Sequence, residues 1–256
     1  MVPLLFISPP LHLQLANDEI HIWCASLDQP VSLVDRLVCT ISIDERARAA
    51  RLFFEEDRKR FIVRHGILRM ILGYYLGVEA RGLPFCYGKN GKPRLADTFR
   101  KGTVAFSMSS SKGLALYGFT RNREIGVDVE CVRDIPEMDK IIALIFSARE
   151  AQVYRALPEH LKKEAFFVCW TRKEAFVKAS GDGLSGPLRR CELTVDPGER
   201  ASRLLRINGD SRSACRWSIH DLKPASGFTA AIAAEGRSWR LRCWRWTDYN
   251  PPQVNT

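Results

Sequence analysis

Apolar and polar residues recur along this chain with two periods, and the switches between them mark out its elements. Ile20, Ile22 and Cys24 alternate with His21 and Trp23, the period of two that predicts a strand over 20–25. Asp44 and Glu45 open a stretch, about 46–76, in which Phe54, Phe61, Leu68 and Leu72 fall at helical spacing. Its other faces carry Arg46, Arg48, Arg51, Arg58, Lys59, Arg60, Arg64 and Arg69. Gly, Asn and Pro make 87–93 a turn. Strands are expected near 103–108 and 114–119, joined by a small-residue turn over 109–113. The polar run 120–124 separates the N-terminal half, 1–121, from a C-terminal half, 122–246, and a tail, 247–256, follows.

The second half opens on Ile125, Val127 and Val129 alternating with Gly126, Asp128 and Glu130, a strand by strict alternation. Helices are expected at about 137–146, 148–156 and 160–179, the last ended by Gly181, Gly183 and Gly186. Strands near 188–195, 215–222, 227–234 and 238–246 would complete a second sheet. Helices and antiparallel strands in mixed order make the fold class α+β.

The 256 residues are 46% hydrophobic and 27% charged, enough for a buried core and too apolar for wholesale disorder. A net charge of +10 points to an anionic partner: a nucleic acid, a phosphorylated small molecule, an acidic protein or an anionic membrane surface. The eight cysteines form no C-x-x-C pair and have no histidine cluster beside them, so neither a zinc site nor a disulfide framework is expected. Residues 1–10 lack a basic run, and no apolar stretch reaches the roughly 18 residues of a membrane span. A cytoplasmic protein with reduced thiols is the expectation.

Period two puts Asp128 and Glu130 on one strand face, side chains roughly 6–7 Å apart. Such carboxylates repel unless a cation or solvent lies between them. A solvent-facing edge strand would carry the same pair. Glu174 changes the picture, because on a helix it lines up with Phe167, Trp170, Val177 and Lys178. A carboxylate beside an aromatic stripe is costly without a partner. Lys178, four residues on, is the plain partner; a hard divalent cation shared with Asp128 and Glu130 is the chemical one. Lys173 and Lys178 would flank it with positive charge suited to phosphate.

Gly126-Val-Asp-Val-Glu130 followed by Trp170-x-x-Lys-Glu-x-x-x-Lys178 resembles the signature pair of the Sfp-type 4′-phosphopantetheinyl transferases. Gly91-Lys92-Pro93 resembles the family's coenzyme A loop, and Phe106-Ser-Met-Ser-Ser-Ser111 resembles its Phe-Asn-x-Ser-His-Ser turn. Glu56-Asp-Arg-Lys-Arg60 fits the same pattern, and the likeness spans roughly 20–195. It implies a pseudo-dimer of two similar α+β halves, each a small antiparallel sheet with a long helix, and coenzyme A in the cleft between them. It implies magnesium held by Asp128, Glu130 and Glu174. Glu174 and Lys178 would be catalytic, with Lys173 near the pyrophosphate. Arg48, Arg60, Arg64, Lys92, Pro93, Ser109 and Ser110 would contact the coenzyme A nucleotide.

The reaction implied is attack by a serine of an acidic carrier protein on the β-phosphate of coenzyme A, with 3′,5′-ADP leaving. A monomer is expected, since one chain supplies both walls of the cleft. Two positions depart from the family turn: Ser107 replaces the usual Asn and Ser110 the usual His. Glu45 stands where some relatives have a basic residue. The rivals are a basic nucleic-acid-binding module, which leaves the carboxylates unexplained, and a catalytically inactive coenzyme A binder.

Overall fold

The computed structural model describes residues 6–10, 13–88, 92–96, 104–181, 188–195 and 204–247. In chain order, β1 (Glu19–Ser26) leads into α1 (Val31–Val38), α2 (Ile43–Ala50) and α3 (Glu55–Leu76). A small hairpin, β2 (Phe85–Tyr87) and β3 (Pro93–Leu95), precedes a long one, β4 (Val104–Ser111) and β5 (Leu114–Arg121). Then come β6 (Ile125–Cys131), α4 (Met138–Ile145), α5 (Ala148–Ala156) and α6 (Glu159–Ser180). The chain continues through β7 (Cys191–Leu193), β8 (Leu204–Ile207), α7 (Ser211–Ala214), β9 (Trp217–Leu222), β10 (Phe228–Glu235) and β11 (Arg240–Arg245).

The strands form two main sheets, ordered β11-β1-β5-β4 and β6-β10-β9. Alternation explains how they stack. Ile20, Ile22 and Cys24 of β1 and Leu116 of β5 face Ile125, Val127 and Val129 of β6 and Ala230, Ile232 and Ala234 of β10 in one apolar layer. On the other face of the first sheet, Trp23, Tyr117 and Phe119 pack on Val63, Ile67 and Ile71 of α3. On the outer face of the second, Ala231 and Ala233 pack on Ala175, Phe176 and Ala179 of α6. The result is an α+β fold layered helix, sheet, sheet, helix, in which each sheet backs one 22-residue helix. Left-handed glycines, Gly77 (φ 67°) and Gly181 (φ 77°), end both long helices. Gly126 is needed for another reason. A Cβ there would stand 2.0 Å from the Ala175 carbonyl oxygen, so only glycine lets α6 lie this close to β6.

Several expectations are corrected. The helix expected over 46–76 is two helices with a break at 51–54. Ser42 and Glu45 form a capping box that starts α2, and the acidic turn Glu55, Glu56, Asp57 restarts the chain as α3. Residues 109–111 belong to β4, because Lys112 (φ 45°) and Gly113 (φ 80°) alone make the two-residue hairpin turn. The strand expected at 238–246 does not complete the second sheet: β11 runs parallel to β1 at the edge of the first, pairing Ile22 with Cys243. The strand near 188–195 is shorter and pairs with β8 in a separate two-stranded sheet. Gly91, Gly183, Gly186 and the tail beyond 247 lie outside the described residues. Among the described residues no helix is long and apolar enough to cross a membrane.

Two histidines are sealed in the core, His21 of β1 and His65 of α3. Trp23 Nε1 donates to the Tyr75 hydroxyl (2.9 Å), which sits 2.7 Å from His21 Nδ1, and Glu19 Oε2 lies 3.4 Å from His21 Nε2. This network suits a neutral ring protonated on Nε2. Burial depresses His21 to about 4, with Glu19 opposing and Arg242 adding to the shift. Burial and then Arg64 depress His65 to about 4. The unfolded chain therefore takes up these protons first, and their contribution is complete above about pH 6.5 and lost as pH falls toward 4. The expected loss is roughly 3 kcal/mol per histidine. Urea midpoints measured from pH 7 to 4.5 should fall steeply, and His65→Gln should flatten that slope; equal slopes would refute the assignment.

Candidate active site at the seam of the two sheets

The edges of the two sheets meet where β4 runs beside β6, and hydroxyls join them. Odd-numbered residues of β4 face β6: the Val127 N–H donates to Ser107 Oγ (3.1 Å), Ser109 donates to Asp128 Oδ1 (2.7 Å), and Ser111 donates to Glu130 Oε2 (2.8 Å). Even-numbered residues, Val104, Phe106 and Met108, face the core beneath α3. Ser110 shares that parity, and Arg64 of α3 donates to its hydroxyl (3.0 Å). Ser109 and Ser110 thus serve opposite faces of one strand.

Opposite the seam, α6 supplies Glu174 and Lys178, one turn apart. Lys178 Nζ donates to Asp128 Oδ1 (2.6 Å) and to Ser109 Oγ (3.0 Å). Glu174 is buried, and its carboxyl is pushed up to about 7, first by burial, then by the Asp128 charge, with Lys178 pulling down and Glu130 adding a push. Asp128 Oδ2 and Glu174 Oε1 are both buried without a hydrogen-bond partner. Unsatisfied carboxylate oxygens in a buried site call for a cation or a proton donor. As placed, no three His, Cys, Asp or Glu side chains among the described residues close around an ion. The Lys178 ammonium stands at Asp128 instead. The donor set nevertheless fits a hard divalent cation: all oxygen, two atoms unpaired, and a partly exposed lysine as the present counter-charge.

The remaining candidates are placed as follows. Arg48 is exposed on α2, its guanidinium 4.1 Å from the centre of the Tyr87 ring. Arg60 binds Asp28 through both carboxylate oxygens (2.7 and 3.2 Å) and also pairs with Glu56, so its charge is matched within the chain. Glu45 is turned inward, accepting from Arg69 Nε at 2.7 Å, and does not compete for an anion. Lys92 Nζ donates to the Lys178 carbonyl (2.6 Å) and the Ile125 carbonyl (3.1 Å), capping the last turn of α6. Burial lowers it to about 8. Lys92 and Pro93 also line a cavity of about 310 Å³ with Arg94, Phe106, Arg123 and Glu124, at the opposite end of the seam from the carboxylates.

Lys173 is not brought to the seam. It is fully buried on another side of α6, 2.8 Å from Glu150, and donates to the carbonyls of Leu188 (2.9 Å) and Cys191 (2.6 Å). Residues 173 and 174 are about 100° apart around a helix, so the two cannot face one site. The sequence pattern assigns no contact to Ser107 or Ser111, though the alternation of serine with Val104, Phe106 and Met108 carries the signal.

The chain is a member of a group-transfer enzyme family. The pattern of the 4′-phosphopantetheinyl transferase superfamily matches residues 124–234, which hold Asp128, Glu130, Glu174 and Lys178. The chain is 39% identical over 237 residues to the 4′-phosphopantetheinyl transferase HetI of Nostoc sp., covering 93% of this chain and 96% of that protein. It is 25% identical over 210 residues to the 4′-phosphopantetheinyl transferase Sfp of Bacillus subtilis, covering 81% and 89%. A holo-(acyl-carrier-protein) synthase of Bacillus anthracis, solved with CoA (3′,5′-ADP), is similar at 22% identity and a TM-score of 0.35, over 44% of this chain and 94% of that one. This protein belongs to the 4′-phosphopantetheinyl transferase family, and its activity is that of a 4′-phosphopantetheinyl transferase.

Proposed function

We propose that the chain transfers phosphopantetheine from coenzyme A to a serine of an acidic carrier protein at the seam of β4 and β6. The observation that carries this reading is the meeting of Asp128, Glu174, Lys178 and Ser109, with two carboxylate oxygens left unpaired. Asp128, Glu130 and Glu174 would hold magnesium, which when bound neutralises the pyrophosphate and stabilises charge developing on it.

The chain's own groups divide the work. Lys178 swings from Asp128 to the transferring phosphoryl group, a short movement for a side chain at the cleft edge. Ser109 offers its hydroxyl to a phosphate oxygen. Arg64 and Ser110, on the other face of β4, hold the nucleotide end, with Arg48 of α2 as a further exposed cation. Glu174, beside Lys178 and facing Asp128 at the seam, is the carboxylate that takes the proton of the carrier serine. The serine oxygen bonds to the β-phosphorus as the bond from phosphorus to the bridging oxygen breaks, and 3′,5′-ADP departs with that electron pair.

The net charge of +10 draws in both anionic substrates. The halves supply both walls, so a monomer suffices, and eight unpaired cysteines suit a reducing cytoplasm. The test is to incubate the protein with magnesium, coenzyme A and a panel of apo-carriers, then weigh the carriers. At least one should gain a phosphopantetheine mass, and its apparent KM should rise with salt as exposed charges are screened within about 8–10 Å. No mass gain on any carrier would overturn the reading; a KM flat across the salt series would overturn the steering.

A further inference from the structure

Ser111 lies at the end of β4, and its hydroxyl is committed at both ends. The Cys131 backbone N–H donates to Ser111 Oγ (3.2 Å), and the single hydroxyl proton goes to Glu130 Oε2 (2.8 Å). A serine hydroxyl has one proton to give, so the bond from Cys131 leaves it aimed at the carboxylate. Because Cys131 directly follows Glu130, one hydroxyl grips both the side chain of Glu130 and the backbone that carries it.

Glu130 has one other neighbour of note: Arg133 Nη1 lies 3.4 Å from the same oxygen. That side chain is 48% exposed and also bonds the Cys131 carbonyl. An exposed pair at that distance holds weakly, whereas a hydroxyl donating to a carboxylate at 2.8 Å is a strong charge-assisted contact. Glu130 is the more exposed of the two β6 carboxylates and has no lysine on it, so Ser111 is what fixes its rotamer.

We propose that Ser111 is a positioning residue of the transfer reaction, which pre-sets the Glu130 carboxylate from across the seam between the two sheets. The inference rests on the reading of Glu130 as a metal ligand. Groups that orient a ligand from behind typically change metal affinity or activity about 10–100-fold when removed.

The test is calorimetric binding of Mn²⁺ to the full chain without coenzyme A, with thermal melting alongside. Ser111→Ala is expected to weaken Mn²⁺ about tenfold or more, with little change in melting temperature, and Ser111→Thr to restore it. In a Glu130→Ala background, Ser111→Ala should add nothing further. In turnover, Ser111→Ala should raise the Mg²⁺ concentration needed for half-maximal rate, with kcat at saturating metal less affected. Unchanged Mn²⁺ affinity in Ser111→Ala, beside weakened affinity in Glu130→Ala, would overturn the inference and leave the metal reading standing. Unchanged affinity in Glu130→Ala would overturn the metal reading of Glu130, and the inference with it. Equal losses from Ser111→Ala with and without Glu130 would show a purely structural serine.

Discussion

Asp128→Ala and Glu174→Ala should each lower kcat/KM by about a thousandfold or more, some 4 kcal/mol of transition-state stabilisation. Neither should unfold the protein. Asp128 pairs with Lys178, whose side chain is 29% exposed and can turn to water when its partner is removed. Glu174 is a liability to the fold: burial and Asp128 push its carboxyl up to about 7, and Oε1 has no partner. At pH 8 without metal, folding keeps this charge in a place that disfavours it, so Glu174→Gln should melt at an equal or higher temperature. Loss of activity together with unchanged or raised stability is the signature of a site held for chemistry at the expense of the fold. Melting curves and steady-state rates on both variants check it. Near-native turnover at limiting magnesium would refute the assignment of either carboxylate, and a large drop in melting temperature would make it a structural group.

How much of this was legible in the sequence follows from how local each signal is. The strand of Gly126, Asp128 and Glu130 and the helix of Glu174 and Lys178 each carry a period and a boundary within a few residues, so both were found in place. The partner of β11 was not, because alternation in 238–246 says which residues share a face and nothing about which sheet edge accepts the strand. The break between α2 and α3 was visible in the acidic turn Glu55, Glu56 and Asp57, a helix-start signal that a single helical stretch over 46–76 passes over. Three serines in a row suggested a turn. Two residues with positive φ, Lys112 and Gly113, are all the hairpin needs, and the serines are free to alternate between the seam and Arg64. That alternation, a property of strands, separates the roles of Ser109 and Ser110.

Lys173 shows what adjacency to a catalytic residue conceals, and it yields the largest expected effect on stability. A motif that reads Lys-Glu invites both side chains into one site, yet on α6 only Glu174 faces β6. Lys173 faces a closed pocket in which Glu150 is the hub: Glu150 accepts the Ser147 N–H (2.7 Å) as the capping box of α5, accepts the Leu193 N–H (2.7 Å) of β7, and pairs with Lys173 at 2.8 Å. One ion pair thereby ties α5, α6 and β7 together. Lys173→Met would leave the Glu150 charge buried without its counter-ion, a loss of about 3–5 kcal/mol. At about 2–4 °C per kcal/mol for a chain near this size, melting should fall by roughly 10 °C. Glu150→Gln in the Lys173→Met background should recover only part of that loss, since it removes the stranded charge but keeps a single acceptor oxygen, for one of the two backbone N–H groups that Glu150 Oε1 and Oε2 now serve. The coenzyme A KM of the folded Lys173→Met protein should stay within about threefold of native, under 1 kcal/mol. Denaturation and kinetics on the same preparations decide it: native stability with a KM raised tenfold would put Lys173 at the pyrophosphate after all.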